Sequence, residues 1–259
     1  MLSRLTRPQA LAVCGLPVVA LLATAVFAPL PFSVARPGLT ADVLGQNQGA
    51  PVITIKGAPT HETSGQLRMT TIEATGPDAS VKLGDVLGSW LDTDRAVMPR
   101  DAVYPSGDDV KEIEEYNEEQ MRESQDAATT AALGYLGLDE ADVDVDLRLE
   151  DVGGPSAGLL FSLGIVDKLG AGDLTGGRVV AGTGTISTGG KVGAVGGVPL
   201  KTQAARRDGA TVFLVPKAEC SDARAELPKG LRLIPVTTLK GAVDSLEALE
   251  TGEGKVPAC

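Results

Sequence analysis

One hydroxyl in this sequence is well placed for nucleophilic chemistry. Ser156 lies in the stretch GGPSAG, after a turn that includes Pro155 and ahead of an apolar run that predicts a helix. Serine at a helix N-terminus is most often a cap, so a structural role is the alternative. The small residues from Gly153 to Gly158 let a substrate chain approach closely. Backbone amides between Gly154 and Ala157 would stabilise an oxyanion.

A nucleophilic serine needs a base, and three residues are candidates. His61 is the single histidine and lies far along the chain from Ser156, which disfavours a Ser-His-Asp triad. Lys191 lies in the turn STGGKVG, where we expect it to be solvated. Lys201 begins a helix after Leu200, where desolvation and the helix N-terminus both disfavour its charge. Lys201 is therefore the predicted base.

Hydrophobic periodicity predicts the elements that position these residues. Alternating or continuous apolar runs predict strands at VITIKG, GQLRMTTIEA, DVDVDLRLED, TVFLVP and LRLIPV, and a hairpin around the glycine pair of STGGKVG. Helices are predicted at DDVKEIEEYNEEQMRESQDAATTAALGYLG, from about Ser156 to Lys168, at VPLKTQAARRDGA with Gly209 as its stop, and at LKGAVDSLEALE. Strands and helices alternate without a regular βαβ rhythm, so the predicted class is α+β.

The N-terminal segment predicts a membrane anchor. Arg4 and Arg7 are followed by no charged residue until Arg36, a run long enough for a spanning helix with its N-terminus in the cytoplasm. Cleavage near Ala25 is the alternative, because small residues there resemble a processing site. We expect residues 1–8 in the cytoplasm, 9–35 as the transmembrane signal anchor, 36–64 as a linker, and 65–259 as an extracytoplasmic folded domain.

Composition narrows the partners and cofactors. The net charge is −11 and no lysine or arginine cluster offsets it, so nucleic acid is not an expected partner. Cys220 and Cys259 are the cysteines outside the apolar run and have no zinc-ligand spacing, which favours a disulfide over two free thiols. The aspartates of DVDVD lack the other elements of a calcium loop. No metal and no cofactor is expected.

Together, GGPSAG and GTGTISTGGKVGAVGGVPLKTQAARRDGATVFLVP resemble the proteolytic domain of Lon proteases. The upstream stretches LRMTTIEA and MRESQDAA extend the resemblance from Gly65 to about Leu249, and the apolar N-terminus is similar to membrane-anchored bacterial Lon-like proteases. The resemblance implies that Ser156 is the nucleophile, Lys201 the general base and Thr183 a residue that orients the lysine. It also implies the α+β Lon protease-type fold and assembly into homo-oligomeric rings.

The sequence departs from that family at several points. Gly153 stands where the family often has aspartate, and Thr185 where an acidic residue often follows the threonine-glycine pair. The PDZ domain usual in the anchored relatives is not inserted before the serine, and no Walker A motif occurs. The expectation is an ATP-independent, membrane-anchored serine endopeptidase that cleaves unfolded or flexible chains. The alternative is a catalytically silent peptide-binding scaffold on the same fold.

Overall fold

The computed structural model describes residues 6–105, 109–149 and 152–259, which form two compact units. Unit 1 contains the described residues up to 35 together with 74–105. Unit 2 contains residues 36–73 and the described residues from 109 onward. Ser156 and Lys201 both lie in unit 2, so the candidate site is built by this unit alone.

The helices and strands have the following bounds. The helices are α1 (Arg7–Phe27), α2 (Leu83–Trp90), α3 (Arg100–Val103), α4 (Val110–Leu136), α5 (Gly158–Leu169), α6 (Val198–Arg207), α7 (Cys220–Ala225) and α8 (Leu239–Thr251), with 3₁₀ turns at Pro155–Ala157 and Lys217–Glu219. The strands are β1 (Phe32–Asp42), β2 (Gln46–Asn47), β3 (Ala50–Pro51), β4 (Ile53–Lys56), β5 (Gln66–Ala74), β6 (Ala96–Pro99), β7 (Asp144–Leu147), β8 (Val179–Gly182), β9 (Thr185–Ile186), β10 (Val192–Gly193), β11 (Val212–Pro216) and β12 (Arg232–Val236).

The main sheet of unit 2 has the strand order β12-β11-β8-β5-β1. Pairings β5 to β8, β8 to β11 and β11 to β12 are all parallel. Parallel neighbours need crossover connections. Helix α6 lies between β8 and β11, α7 lies between β11 and β12, and the segment from β5 to β8 includes α4 and α5. The class is therefore mixed α/β. The predicted mixture of helices and strands is confirmed. The parallel pairing was not predicted, because the antiparallel β9–β10 hairpin comes between β8 and α6 and breaks the βαβ rhythm.

Helices α4 and α5 cover the sheet and form much of the core. The residues of α5 are buried from Gly158 to Asp167, and α5 packs closely on α4. The second half of α4 buries Met121, Ala128 and Ala132, and Leu136 is half-buried. The charged first half of α4 is largely solvent-exposed. The turn that precedes α5 therefore rests directly on α4.

The predicted boundaries near the N-terminus differ from the structure. The apolar run forms α1, whose leucines are exposed, but it ends at Phe27 and a strand begins at Phe32. Over the residues that the structure describes, no helix has the length and apolar character needed to cross a membrane. The bounds of α1, Arg7–Phe27, thus differ from those of the predicted anchor at residues 9–35.

The predicted linker at residues 36–64 is folded. It contains the end of β1 and all of β2, β3 and β4. Val43, Val52 and Ile53 are buried in the core. Strand β4, which lies within the predicted strand VITIKG, pairs antiparallel with β7. The predicted single domain at 65–259 also differs, because residues 74–105 belong to unit 1 and residues 36–64 to unit 2.

Candidate active site

Ser156 is the middle residue of the 3₁₀ turn that leads into α5. Gly154 is the N-cap of this turn, with φ of 89°, and Ala157 is the N-cap of α5. Glycine adopts this positive φ without the steric strain that a side chain would add. Ser156 is half-buried, and neither cap position belongs to it. The capping role considered for Ser156 is therefore not the one it has.

Helix α4 holds this turn in place through two hydrogen bonds. The Gly154 N–H donates to the Asn117 carbonyl at 3.2 Å, and the Ser124 hydroxyl donates to the Pro155 carbonyl at 3.1 Å. A Cβ atom at Gly153 would lie 2.8 Å from Asn117 Cβ, too close for any larger residue without a shift. This contact is a physical reason for glycine where the family often has aspartate.

The segment after β8 fixes the serine turn from the other side. Thr183 is fully buried, and its N–H donates to the Leu214 carbonyl of β11 at 3.1 Å. The Ser156 carbonyl accepts two hydrogen bonds, from the Gly184 N–H at 3.0 Å and from the Thr183 hydroxyl at 3.4 Å. The Leu159 N–H donates to the Gly184 carbonyl at 3.1 Å. The carboxyl end of β8 therefore anchors the serine backbone.

Lys201 reaches the same threonine from α6. Its Nζ donates to Thr183 Oγ1 at 3.1 Å, and the residue is only 4% exposed. Burial lowers the pKa of Lys201 to about 8, and the negative charge of Glu219 opposes that change. Thr183 thus links the two residues, accepting from the amine of Lys201 and donating to the backbone of Ser156. The structure brings the predicted nucleophile, base and orienting threonine together.

Glu219 is the site residue that the sequence did not reveal. It ends the 3₁₀ turn after β11 and is 9% exposed, with Oε1 accepting from the Val195 N–H at 3.0 Å. Burial is the main cause that raises its pKa, while Lys201 lowers it. The surrounding sequence, KAECSDARAE, is mostly polar, which is typical of a solvent-exposed segment. The neighbouring Cys220 is the sequence signal that could have indicated burial of Glu219, because a disulfide at Cys220 holds this segment against the folded domain.

The structure contains a disulfide between Cys220 and Cys259, with Cα atoms 5.3 Å apart. Both cysteines pack against a small apolar cluster that includes Val198 of α6 and Val195 of the loop before it. The bond therefore fastens the segment after α8 to the region that surrounds Lys201. Cys14, the remaining cysteine, is exposed on α1.

The other candidate bases lie away from Ser156. His61 is exposed, and its N–H donates to the Lys168 carbonyl near the C-terminal end of α5 at 2.8 Å. Ser156 precedes the opposite end of that helix, which at about 1.5 Å per residue is roughly 15 Å away. Lys191 is exposed in the β9–β10 hairpin, as predicted. Lys201 is the candidate base that the geometry favours.

The family comparison agrees with this arrangement. The model of the Lon protease (S16) C-terminal proteolytic domain matches residues 114–247, more than half of the 259-residue chain. The matched range includes Ser156, Thr183, Lys201 and Glu219. No curated protein matches the chain. The resemblance drawn from the sequence motifs is confirmed, and the chain belongs to the Lon (S16) protease family through this proteolytic domain.

Proposed function

We propose that this protein is a serine endopeptidase in which Ser156 is the nucleophile and Lys201 the general base. The observation that carries the proposal is the buried lysine amine bonded to Thr183, whose hydroxyl also binds the Ser156 carbonyl. Membership of the Lon family supports a serine peptidase activity. In the proposed dyad, the nucleophilic atom is Ser156 Oγ and the basic atom is Lys201 Nζ.

The environment of Lys201 makes base catalysis feasible near neutral pH. An exposed lysine has a pKa of about 10.4 and is almost wholly protonated at neutral pH. With its pKa lowered to about 8 by burial, Lys201 is neutral in about a tenth of molecules at pH 7. The free amine then accepts the Ser156 hydroxyl proton while Oγ attacks the scissile carbonyl carbon.

The following steps return that proton and regenerate the enzyme. The tetrahedral intermediate collapses, the peptide C–N bond breaks, and Lys201 gives its proton to the leaving amine. A water molecule, deprotonated by Lys201, then attacks the acyl-serine ester. The ester C–O bond breaks, Lys201 returns the proton to Ser156 Oγ, and the second product is released. Because the Gly154 amide is engaged by Asn117, the oxyanion is assigned to the amides of Ser156 and Ala157. Amides at the start of a helix have no intrahelical acceptor.

The substrate class follows from what the sequence lacks. Its residues include no Walker A motif, so this chain has no motif for coupling cleavage to ATP hydrolysis. Unfolded or flexible polypeptides, which need no unfolding before cleavage, are the substrates we propose. Assembly into a homo-oligomeric ring stays a prediction from the family resemblance.

Membrane attachment is a separate proposal that rests on the sequence. The uncharged run after Arg7 and the exposed leucines of α1, among them Leu11 and Leu16, support it. The site described above then lies outside the cytoplasm. Carbonate extraction of membranes and N-terminal sequencing of the mature protein test it. Release by carbonate, or a mature N-terminus near Ala25, would contradict an uncleaved anchor.

A serine-reactive fluorophosphonate probe tests the proposed chemistry on the full chain. We expect the probe to label the wild type and not Ser156→Ala, with labelling unchanged in Ser187→Ala, which alters an exposed serine. Cleavage of an unfolded substrate should rise with pH through an apparent pKa of about 8, because only neutral Lys201 accepts the proton. Labelling that persists in Ser156→Ala contradicts the assignment of the nucleophile. A folded wild type that binds peptides without cleaving them favours the scaffold alternative.

A further inference from the structure

We propose that Glu219 is a positioning residue whose buried carboxylate stabilises the Lys201 ammonium formed when Ser156 gives up its proton. The inference rests on the proposed function, because it concerns the same proton transfer. Glu219 touches neither the substrate nor the reacting atoms. It acts on Lys201 through its charge and on the loop before α6 through a hydrogen bond.

The two carboxylate oxygens of Glu219 differ in their hydrogen bonding. Oε1 holds the Val195 N–H in the loop between β10 and α6 at 3.0 Å. Oε2 is buried, and no residue in the described part of the chain hydrogen-bonds to it. A buried carboxylate without full hydrogen bonding is costly unless an opposite charge compensates it. Lys201, buried on α6, supplies that charge.

The electrostatic surroundings support this pairing. Strands β8 and β11, which pack against α6, bring apolar side chains to this region. The charge of Glu219 raises the pKa of Lys201 against the effect of burial. Lys201 in turn lowers the pKa of Glu219, while Asp222 in the first turn of α7 raises it. Arg206 and Arg207, in the last turn of α6, are exposed to solvent.

This arrangement predicts two separable effects on catalysis. Without the carboxylate, Lys201 loses its proton more readily, so the enzyme becomes active at lower pH. The ammonium that forms in the transition state is then less stable in its apolar surroundings, so the maximal rate falls. A purely structural role for Glu219 would lower the rate without moving the pH profile.

The test is Glu219→Gln in the full chain, which removes the charge and keeps an acceptor for the Val195 N–H. We expect the acid limb of kcat to move down by on the order of one pH unit. We expect the plateau of kcat to fall about tenfold or more, with KM little changed. Glu219→Asp, which keeps the negative charge, should return the acid limb of kcat close to its wild-type position. Glu226→Gln, an exposed change on the same side of α6, should alter neither quantity.

A second readout separates this inference from the proposed function. Nitrogen NMR of the lysine amine in the Ser156→Ala protein reports the pKa of Lys201 without any turnover. A lower pKa in the Ser156→Ala, Glu219→Gln double variant supports the pairing even if cleavage is never detected. An unchanged Lys201 titration, or a lower kcat with an unmoved acid limb, overturns the inference. Loss of cleavage by the wild type itself would instead count against the proposed function.

Discussion

The two ends of helix α5 each lie beside a buried ionisable group, and only one end has the geometry of a catalytic site. At the N-terminal end, the Ser156 turn is joined through Thr183 to Lys201, whose pKa burial lowers to about 8. Near the C-terminal end, Asp167 is equally buried, and burial raises its pKa to about 6. Both groups therefore titrate near neutral pH for the same principal reason.

The difference lies in what each group contacts. The amine of Lys201 donates a hydrogen bond to the Thr183 hydroxyl, which in turn donates a hydrogen bond to the Ser156 carbonyl. Asp167 accepts the Leu174 N–H on Oδ1 at 2.6 Å, and its Oδ2 is buried with no hydrogen-bond partner in the part of the chain that is described. A shifted pKa by itself thus indicates burial, and the nearby Ser156 is what makes the Lys201 end a candidate catalytic site. Mutations at the two ends should have opposite consequences.

Removal of either dyad residue should have the largest effect. Ser156→Ala and Lys201→Ala should each reduce kcat by at least about 10⁴-fold, and the double variant should be no worse, because the two groups act as one unit. Peptide-cleavage kinetics with thermal unfolding as a folding check provide the measurement. Full activity in Lys201→Ala, with loss of activity in Lys191→Ala or His61→Ala, would assign the general base to one of those residues instead.

Loss of the linking hydroxyl should have the next largest effect. Thr183→Val keeps the shape of a fully buried side chain but removes the acceptor for Lys201 and the donor to the Ser156 carbonyl. We expect kcat to fall by on the order of 10²-fold with a smaller change in KM. Thr183→Ser, which keeps the hydroxyl, is the matched control. Equal rates in the two variants would show that the hydroxyl does not orient the lysine.

At the other end of α5, Asp167→Asn should change stability and leave kcat intact. Because the pKa of Asp167 is raised from 3.8 to about 6, its contribution to stability is present below pH 4 and is lost as pH rises through 6. The variant should therefore be more stable at neutral pH by up to about 3 kcal/mol. Urea unfolding at several pH values measures this, and a gain that does not shrink below pH 4 would contradict it.

Lys191→Ala should have the smallest effect. Lys191 is exposed in the β9–β10 hairpin, so its amine is solvated. We expect kcat within about twofold of the wild type and little change in unfolding free energy, as is usual for surface substitutions. A large loss of kcat would indicate that the hairpin reaches the substrate.

The two residues of the proposed dyad could be located from the sequence because they lie in short, locally encoded motifs. The glycine-proline turn before an apolar run locates Ser156, and the position of Lys201 at the start of an alanine-rich helix predicts its burial. Most elements of unit 2 were also predictable, since their apolar periods are strong. Thr183 could be assigned only by resemblance to a known family.

The contacts that hold the site together depend on distant segments and could not be derived. Asn117 and Ser124 fix the serine turn from a helix whose first half looks like a solvated charged surface. Glu219 lies in an equally polar stretch, and its burial arises from the 3₁₀ turn after β11. The parallel order of the strands also escaped prediction, because a hairpin lies between β8 and its crossover helix.

The bond between Cys220 and Cys259 also has a consequence for the order of biosynthesis. Chains are made from the N-terminus onward, so Ser156, Thr183 and Lys201 all emerge before β12, α8 and Cys259. The disulfide that ties the turn beside Glu219 to the segment after α8 can form only after Cys259 has emerged and the two thiols have been oxidised. If Glu219 acts as proposed, a nascent chain contains both dyad residues yet gains its full cleavage rate only on completing this bond. Oxidative maturation would then delay proteolysis until synthesis has passed residue 259.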